Sequence, residues 1–103
     1  MLDGGVCLDP ALTLDSLASR LGVTPNRLSQ AINELAECNF ADFVNRVRIE
    51  EVKRRLLDPA HRHLTIAGIA SDCGFPSKSA FHAAFRKHTG TTPSDFRKER
   101  PES

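Results

Sequence analysis

A helix–turn–helix unit occurs twice in this chain, and that duplication constrains the fold more than any other feature. A small residue followed four positions later by glycine occurs at Ala18 and Gly22, and again at Ala70 and Gly74, 52 residues further on. In each copy one short helical segment precedes the glycine and another follows the turn. The small residue allows two helices to cross closely, and the glycine allows a sharp turn between them. The sequence therefore predicts two helix-turn-helix lobes.

Helix start and stop signals define the first lobe. Thr13 is a predicted N-cap and Gly22 a predicted stop, after which Thr24 and Pro25 begin a new helix with a hydroxyl cap and proline at the first position. The periodicity of the second helix separates two faces. The inner face is predicted to contain Leu28, Ala31, Ile32 and Leu35, and the outer face Asn26, Ser29, Gln30 and Asn33.

A long helix is predicted from Phe40 to about Leu57, with Asn39 and Asp42 at its start and Asp58-Pro59 at its end. Its apolar stripe changes face midway, by roughly 160° at 100° per residue. One face carries Phe40, Phe43, Val44 and Val47, and the other carries Ile49, Val52 and Leu56. Such a helix suits a linker with one end docked on each lobe. Its Glu50-Glu51 pair is predicted to form i,i+4 ion pairs with Arg54 and Arg55.

The second lobe repeats the pattern, with Thr65 and Ser77 as predicted N-caps and Gly74 between them. The helix after Ser77 has an aromatic inner face and a small, basic outer face. The inner residues are Phe81, Ala84 and Phe85, and the outer residues are Lys78, Ser79, His82 and Arg86. The predicted organisation is an irregular or partly helical segment at 1–12, a first lobe at 13–38, a linker helix at 39–58, and a second lobe with a terminal helix at 59–100. The fold class is all-α.

Charge and composition narrow the function. The net charge is only +1, but residues 1–40 sum to −3 and residues 59–103 to +3, so positive charge is concentrated in the C-terminal half. No apolar run is long enough to span a bilayer and the first residues do not resemble a signal peptide, so we expect a cytoplasmic protein. The three cysteines lack CxxC spacing, and buried thiols are predicted at Cys38 and Cys73.

The sequence contains no arrangement that indicates an enzyme, a metal site or a cofactor. His61-x-His63 and His82 lack a third ligand at useful spacing, and no Ser/His/Asp or Cys/His group stands out. The outer faces instead favour nucleic acid, because asparagine and glutamine pair with adenine, and arginine and lysine pair with guanine. The predicted double-stranded DNA-binding residues are Asn26, Arg27, Ser29, Gln30, Asn33, Ser77, Lys78, Ser79, His82 and Arg86. The alternative is a helical protein–protein interaction module whose polar faces bind another protein.

Residues 11–98 resemble AraC/XylS-type transcriptional regulators. The matching block in the second lobe is Ala70, Gly74-Phe75, Ser77, Phe81, Phe85-Arg86-Lys87, Gly90, Thr92-Pro93-Ser94 and Phe96-Arg97; the earlier matches include Leu14, Leu17-Ala18, Gly22-Val23-Thr24, Leu28, Phe40, Phe43, Arg48 and Leu56-Leu57. The resemblance implies about seven helices in two homeodomain-like three-helix units, and one monomer reading two successive major grooves. It also implies an activator that contacts RNA polymerase, with no ligand site in this domain. The chain is either a DNA-binding domain excised from a protein with an N-terminal sensing or membrane domain, or a stand-alone short regulator. A first helix before the first motif is usual in the family, but Leu2–Leu8 with its paired glycines is a poor candidate for it, and Val52 replaces a generally small residue.

Overall fold

The computed structural model describes residues 7–61 and 63–99, and this part of the chain contains six α-helices and no strand. The helices are α1 (Leu14–Leu21), α2 (Pro25–Ala36), α3 (Phe40–Leu56), α4 (Ile66–Asp72), α5 (Lys78–Thr89) and α6 (Pro93–Glu99). A single 3₁₀ turn, Pro59–His61, follows α3. The all-α fold class is confirmed. The predicted irregular or partly helical segment at 1–12 lies partly outside the described residues, which begin in a 3₁₀ conformation at Cys7 and Leu8.

The capping predictions for the first lobe are confirmed. Thr13 Oγ1 accepts a hydrogen bond from the amide of Ser16 at 3.1 Å, and Ser16 Oγ accepts one from the amide of Thr13 at 3.0 Å. Gly22 ends α1 in the left-handed conformation, at φ 73°. Thr24 caps α2 and Pro25 stands at its first position. These local signals therefore fix the turn between α1 and α2, and with it the direction of α2.

The core of the first lobe lies between α1, α2 and the start of α3. Its buried residues are Leu17, Ala18, Leu28 and Ile32. The prediction that Leu35 belongs to this core is wrong, since its side chain is 87% exposed. The contact at the last turn of α2 is made by Ala36 instead. α1 has only eight residues against twelve in α2, so it leaves the far end of α2 uncovered.

The second lobe has the larger core. Helices α3, α4 and α5 contribute the buried residues Ile49, Val52, Leu56, Ile69, Ala70, Cys73, Phe75, Phe81, Ala84 and Phe85. Its aromatic rings pack as a chain in which Phe81 lies 5.3 Å from Phe75 and 5.7 Å from Phe85, centroid to centroid. Phe96 of α6 extends the chain at 5.6 Å from Phe85. Tilted and edge-on contacts of this kind add to the stabilisation from burial alone.

Helix α3 contacts both cores, as its divided apolar stripe predicts. Phe40 and Phe43 pack on the first core, while Ile49, Val52 and Leu56 are buried in the second. A helix of 17 residues is about 25 Å long, so its two ends contact two separate cores. The linker prediction is therefore confirmed.

Two details of polar contacts on α3 differ from the prediction. Asn39 caps the helix by accepting from the amide of Asp42 at 2.8 Å, but the carboxylate of Asp42 binds Lys87 of α5 rather than the cap. Glu51 pairs with both Arg54 and Arg55, whereas Glu50 pairs with Lys53 at i,i+3. In both cases the carboxylate pairs with a lysine that helical periodicity did not identify, Lys87 for Asp42 and Lys53 for Glu50.

Candidate nucleic-acid interface

Helix α2 presents a polar face because its opposite face is anchored in the first core. Leu28 and Ile32 are buried there. The predicted outer residues Asn26, Arg27, Gln30 and Asn33 are all exposed, whereas Ser29 is half-buried. The structure thus brings four of the five predicted residues of α2 to the surface and places Ser29 at the edge of that face.

The three amides of α2 are available for intermolecular hydrogen bonds. Within residues 7–61 and 63–99, the side chains of Asn26, Gln30 and Asn33 have no hydrogen-bond partner. A carboxamide offers a donor and an acceptor side by side, which is the arrangement needed for bidentate contact with adenine in a major groove. Arg27 is exposed beside them, and its backbone amide donates to Thr24 Oγ1 at 3.2 Å.

Helix α5 is held in the second lobe by Phe81, Ala84 and Phe85, all of them buried. The side chains of Lys78, Ser79, His82 and Arg86 are exposed on its other side. Ser77 is exposed as well, but its Oγ accepts from the amide of Ala80 at 3.1 Å and so caps the helix. Four of the predicted residues of α5 therefore share a solvent-exposed face, while the fifth, Ser77, lies at the N-terminus of the helix.

His82 is oriented by two contacts of its own. Its Nδ1 lies 3.1 Å from the carbonyl oxygen of Lys78, and its ring centroid lies 5.3 Å from that of Phe81. In the tautomer that carries the hydrogen on Nδ1, this nitrogen donates to the carbonyl. Nε2 is then an acceptor directed away from the helix backbone, and it can receive a hydrogen bond from a base or a water.

A cleft of about 380 Å³ adjoins the start of α5. It lies between α4, the turn before α5 and the beginning of α6, with an apolar floor that includes Phe75 and Phe81 and a polar rim that includes Ser77, Lys78 and His82. Because three predicted DNA-binding residues form its rim, the cleft belongs to the same surface as the exposed face of α5.

One basic residue next to this face is already paired. Lys87 Nζ lies 2.8 Å from Asp42 Oδ1, and this hydrogen bond lowers the pKa of the Asp42 carboxyl. The charge of Lys87 is thus partly balanced within the protein. In the described part of the chain, the side chains of Arg27, Lys78 and Arg86 have no acidic partner, and they supply the uncompensated positive charge of the two faces.

Sequence reasoning missed the role of Arg48, which the structure buries against the N-terminal segment and Phe75. Its side chain is 7% exposed, and its Nε donates to the carbonyl oxygen of Cys7 at 2.6 Å. A signal was present in the sequence, because Val44 and Val52 stand four residues before and after it, each about one helical turn away. An arginine midway between two buried valines is itself expected to be buried.

The described residues contain neither a membrane-spanning helix nor a cluster of metal-binding side chains. No helix there is both long and apolar enough to cross a membrane. No group of three or more His, Cys, Asp or Glu side chains in residues 7–61 and 63–99 could hold a metal ion.

Comparison with known proteins assigns the class. The profile of a family described as "Helix-turn-helix domain" matches residues 17–99. The HTH-type transcriptional regulator YpdC of Escherichia coli is 34% identical over 85 residues, which are 82% of this chain and 29% of YpdC. The C-terminal domain of AraT, a response regulator from Geobacillus stearothermophilus, is 32% identical with a TM-score of 0.78, over 92% of this chain and 76% of that one. An AraC-type DNA-binding structure from Chromobacterium violaceum, at 21% identity, shows the same fold with a TM-score of 0.80 over 95% of this chain and 86% of that one.

Fold, exposed faces and relatives together define a helix-turn-helix DNA-binding domain of a transcription regulator, not an enzyme. The partner of such a domain is DNA. More narrowly, the chain belongs to the AraC-type helix-turn-helix family. It spans less than a third of the length of YpdC.

Proposed function

We propose that one monomer binds double-stranded DNA in a sequence-specific manner, with α2 and α5 in two successive major grooves on one side of the duplex. The observation that carries the proposal is the pair of exposed polar faces, each on the second helix of its helix-turn-helix unit. In proteins of this architecture the second helix enters the major groove and presents side chains to base edges.

The dimensions of the molecule are compatible with this arrangement. Successive major grooves on one side of B-DNA are about 34 Å apart. The protein is 44 Å along its longest axis and 26 by 22 Å across. α3, which is about 25 Å long, contacts both cores and thereby separates the two recognition helices. These dimensions support the proposal that a single copy reaches both grooves without a partner subunit.

The two helices are proposed to contribute differently. On α2 we assign base recognition to Asn26, Gln30 and Asn33, with Arg27 beside them, and a backbone contact to the half-buried Ser29. The face of α5 is smaller and more basic, and we assign base contacts to Lys78, Ser79 and His82. The remaining predicted residues, Ser77 and Arg86, are proposed to meet the phosphate backbone, Ser77 because its hydroxyl already caps α5.

The wider role is proposed from the relatives. Because this chain spans 29% of YpdC, we propose that it acts as the DNA-binding part of a longer regulator with an N-terminal sensing or membrane domain. Contact with RNA polymerase, and hence activation of transcription, is part of this proposal. So is a cytoplasmic location, where chromosomal DNA is accessible.

The proposal is tested by selecting bound duplexes from a random DNA pool. We expect two short conserved blocks about one helical turn apart. Gln30→Ala and Lys78→Ala should each cost about 1–3 kcal/mol on the selected site and relax preference within one block only. Arg86→Ala should weaken all sequences alike and reduce the dependence of affinity on salt. Arg20→Ala, an exposed arginine of α1, is the control. Selection of one block would contradict the two-groove arrangement, and a Gln30→Ala variant with unchanged specific affinity across salt concentrations would contradict the base-reading assignment.

A further inference from the structure

We propose that Arg48 is a positioning residue that fixes α5 relative to α2 and so determines the half-site spacing that the domain accepts. The proposal rests on the two-groove arrangement proposed above. Arg48 acts by holding the segment Cys7–Asp9 against the turn between α4 and α5. We call Arg48 with the carbonyl groups of Cys7 and Asp9 the Arg48 clamp.

The clamp connects parts of the chain that are far apart in sequence. Arg48 Nε donates to the carbonyl oxygen of Cys7 at 2.6 Å, and Nη2 donates to that of Asp9 at 2.9 Å. The two carbonyls lie 41 and 39 residues before the arginine. On its other side the guanidinium carbon lies 5.8 Å from the ring centre of Phe75. One side chain in the middle of α3 therefore contacts both the N-terminal segment and the turn that leads into α5.

The backbone of the turn is shaped to fit this contact. Gly74 has φ 103°, and a Cβ atom there would lie 2.6 Å from the carbonyl oxygen of Leu8 and 2.9 Å from Arg48 Nε. No residue with a side chain can bring the turn this close to the clamp. Cys7 is fully buried and Leu8 packs on the second core, so the segment is part of that lobe although it precedes the first lobe in sequence.

The cost of burying Arg48 indicates a role in geometry. Burial lowers the pKa of its guanidinium, which means that the surroundings disfavour the charged form. No carboxylate among the described residues forms an ion pair with it, and its hydrogen-bond acceptors are carbonyl groups. Buried charges of this type are often no more stabilising than apolar side chains, and in some proteins they specify one arrangement among several. The bidentate arginine fork is suited to such a role because it fixes two acceptors at once.

The effect on DNA binding follows from the position of the turn. Phe75 is buried beside Phe81, with ring centroids 5.3 Å apart, and the turn leads directly into Ser77 at the cap of α5. A shift of the turn therefore moves the first helical turn of α5, where Lys78 lies. If the clamp is lost, α5 still packs on α3 through the second core, but the turn that leads into α5 is released. The position of Lys78 relative to α3, and through α3 to α2, is then no longer fixed.

The first test measures the relation between the two helices without DNA. Spin labels at Glu34→Cys in α2 and Ala83→Cys in α5, in a Cys38→Ser background, give an interhelical distance distribution by double electron–electron resonance. The other native thiols, Cys7 and Cys73, are fully buried, and burial raises the pKa of Cys73 to about 11, so both should stay unlabelled.

We expect a narrow distribution for the parent protein and a broader or displaced one for Arg48→Met. Arg54→Met, at an exposed arginine of the same helix, should match the parent. Arg48→Lys keeps the charge but loses the bidentate geometry, and it should give an intermediate distribution even if Arg48→Met does not fold. A parent-like distribution in Arg48→Lys and in any folded Arg48→Met would overturn the proposal.

The second test uses the selected DNA site with one base pair inserted between its blocks. The insertion moves one half-site by about 3.4 Å and turns it by roughly 35°. The parent protein should lose about ten- to hundredfold in affinity, a loss comparable to that from a mismatched base pair. Arg48→Lys should lose several-fold less on the same insertion. A variant that is weaker by one constant factor at every spacing would show a purely structural role. If the protein binds no DNA at all, the proposed function fails, while the distance measurement still decides the role of Arg48.

Discussion

Replacing Gly74 by alanine tests the close approach of the α4–α5 turn to Arg48 of α3 and to the N-terminal segment. The new methyl group would lie 2.6 Å from the carbonyl oxygen of Leu8 and 2.9 Å from Arg48 Nε, at a backbone φ of 103°. Gly22 is the matched control because it occupies the equivalent turn of the first lobe. It also has positive φ, 73°, but a Cβ atom there would meet nothing within 4 Å.

Gly74→Ala should reduce the free energy of unfolding more than Gly22→Ala does, by the energy of the contacts that only Gly74→Ala breaks. Placing an alanine in a left-handed conformation costs about 1–2 kcal/mol, and this is the whole expected loss for Gly22→Ala. Gly74→Ala carries at least this strain, because φ 103° lies further from the left-handed region, and it must also displace Leu8 or the guanidinium of Arg48. Losing one hydrogen bond from that charged group adds about 1.5–3 kcal/mol. The expected total is at least about 2.5–5 kcal/mol, a large part of the 5–15 kcal/mol typical of a small domain.

Urea denaturation followed by far-ultraviolet circular dichroism measures both losses. In thermal melting, each 1 kcal/mol corresponds to about 4–8 °C for a domain of 60–100 residues, so the two variants should be clearly separated. If Gly74→Ala is partly unfolded in buffer, sucrose restores a measurable native baseline because it favours the compact state. Equal losses for Gly22→Ala and Gly74→Ala would refute the reasoning, since strain alone would then account for both.

Three further predictions concern ion pairs and the first core. Hydrogen bonds from Arg54 and Arg55 lower the pKa of Glu51 from 4.5 to about 2; Glu51→Gln should therefore reduce the free energy of unfolding by about 1–2 kcal/mol at pH 7, after allowance for solvent screening, in urea denaturation. Since the folded-state pKa is depressed, the difference from the parent should be complete above pH 4.5 and shrink towards pH 2; a constant difference would contradict this assignment. In the same assay Ile32→Ala should cost about 2–4 kcal/mol, because Ile32 is buried in the first core. Leu35→Lys should change stability by no more than about 0.5 kcal/mol. A large loss for Leu35→Lys would show that Leu35 packs against the protein after all. Asp42→Asn should lower the melting temperature slightly at low salt and not at all in 1 M salt. The pair of Asp42 with Lys87 is exposed, and in 1 M salt charges are screened over roughly 3 Å.

Much of the fold follows from local signals in the sequence. Thr13, Thr24, Thr65 and Ser77 each cap the helix that follows, and Gly22 takes the left-handed conformation at the end of α1. Caps act within a few residues, so sequence spacing is enough to find them. The division of the apolar stripe on α3 was also accessible, because helical periodicity depends only on residue number.

The failures concern contacts between distant segments. Leu35 fits the periodicity of the inner face of α2. Whether an apolar stripe is covered, however, depends on the length of the neighbouring helix, and the residue spacing within α2 carries no information about that length. The partner of Asp42 is Lys87, 45 residues away, and local pattern cannot identify such a pair. The contacts of Arg48 with the carbonyl groups of Cys7 and Asp9 were missed for the same reason. The exposed face of α2 was predicted apart from the half-buried Ser29.

The Arg48 clamp has a consequence for how the chain folds. Although the two lobes are copies of one unit, their sequences are interleaved, because Leu8 precedes the first lobe and packs on the core of the second. The second lobe is thus incomplete until the segment Cys7–Asp9 has returned across about 40 residues to Arg48. A fragment that begins at the linker helix would lack this segment and expose the surface it covers. The duplicated units should therefore unfold in one cooperative transition, and closure of this long loop is expected to be a late and comparatively slow step of folding.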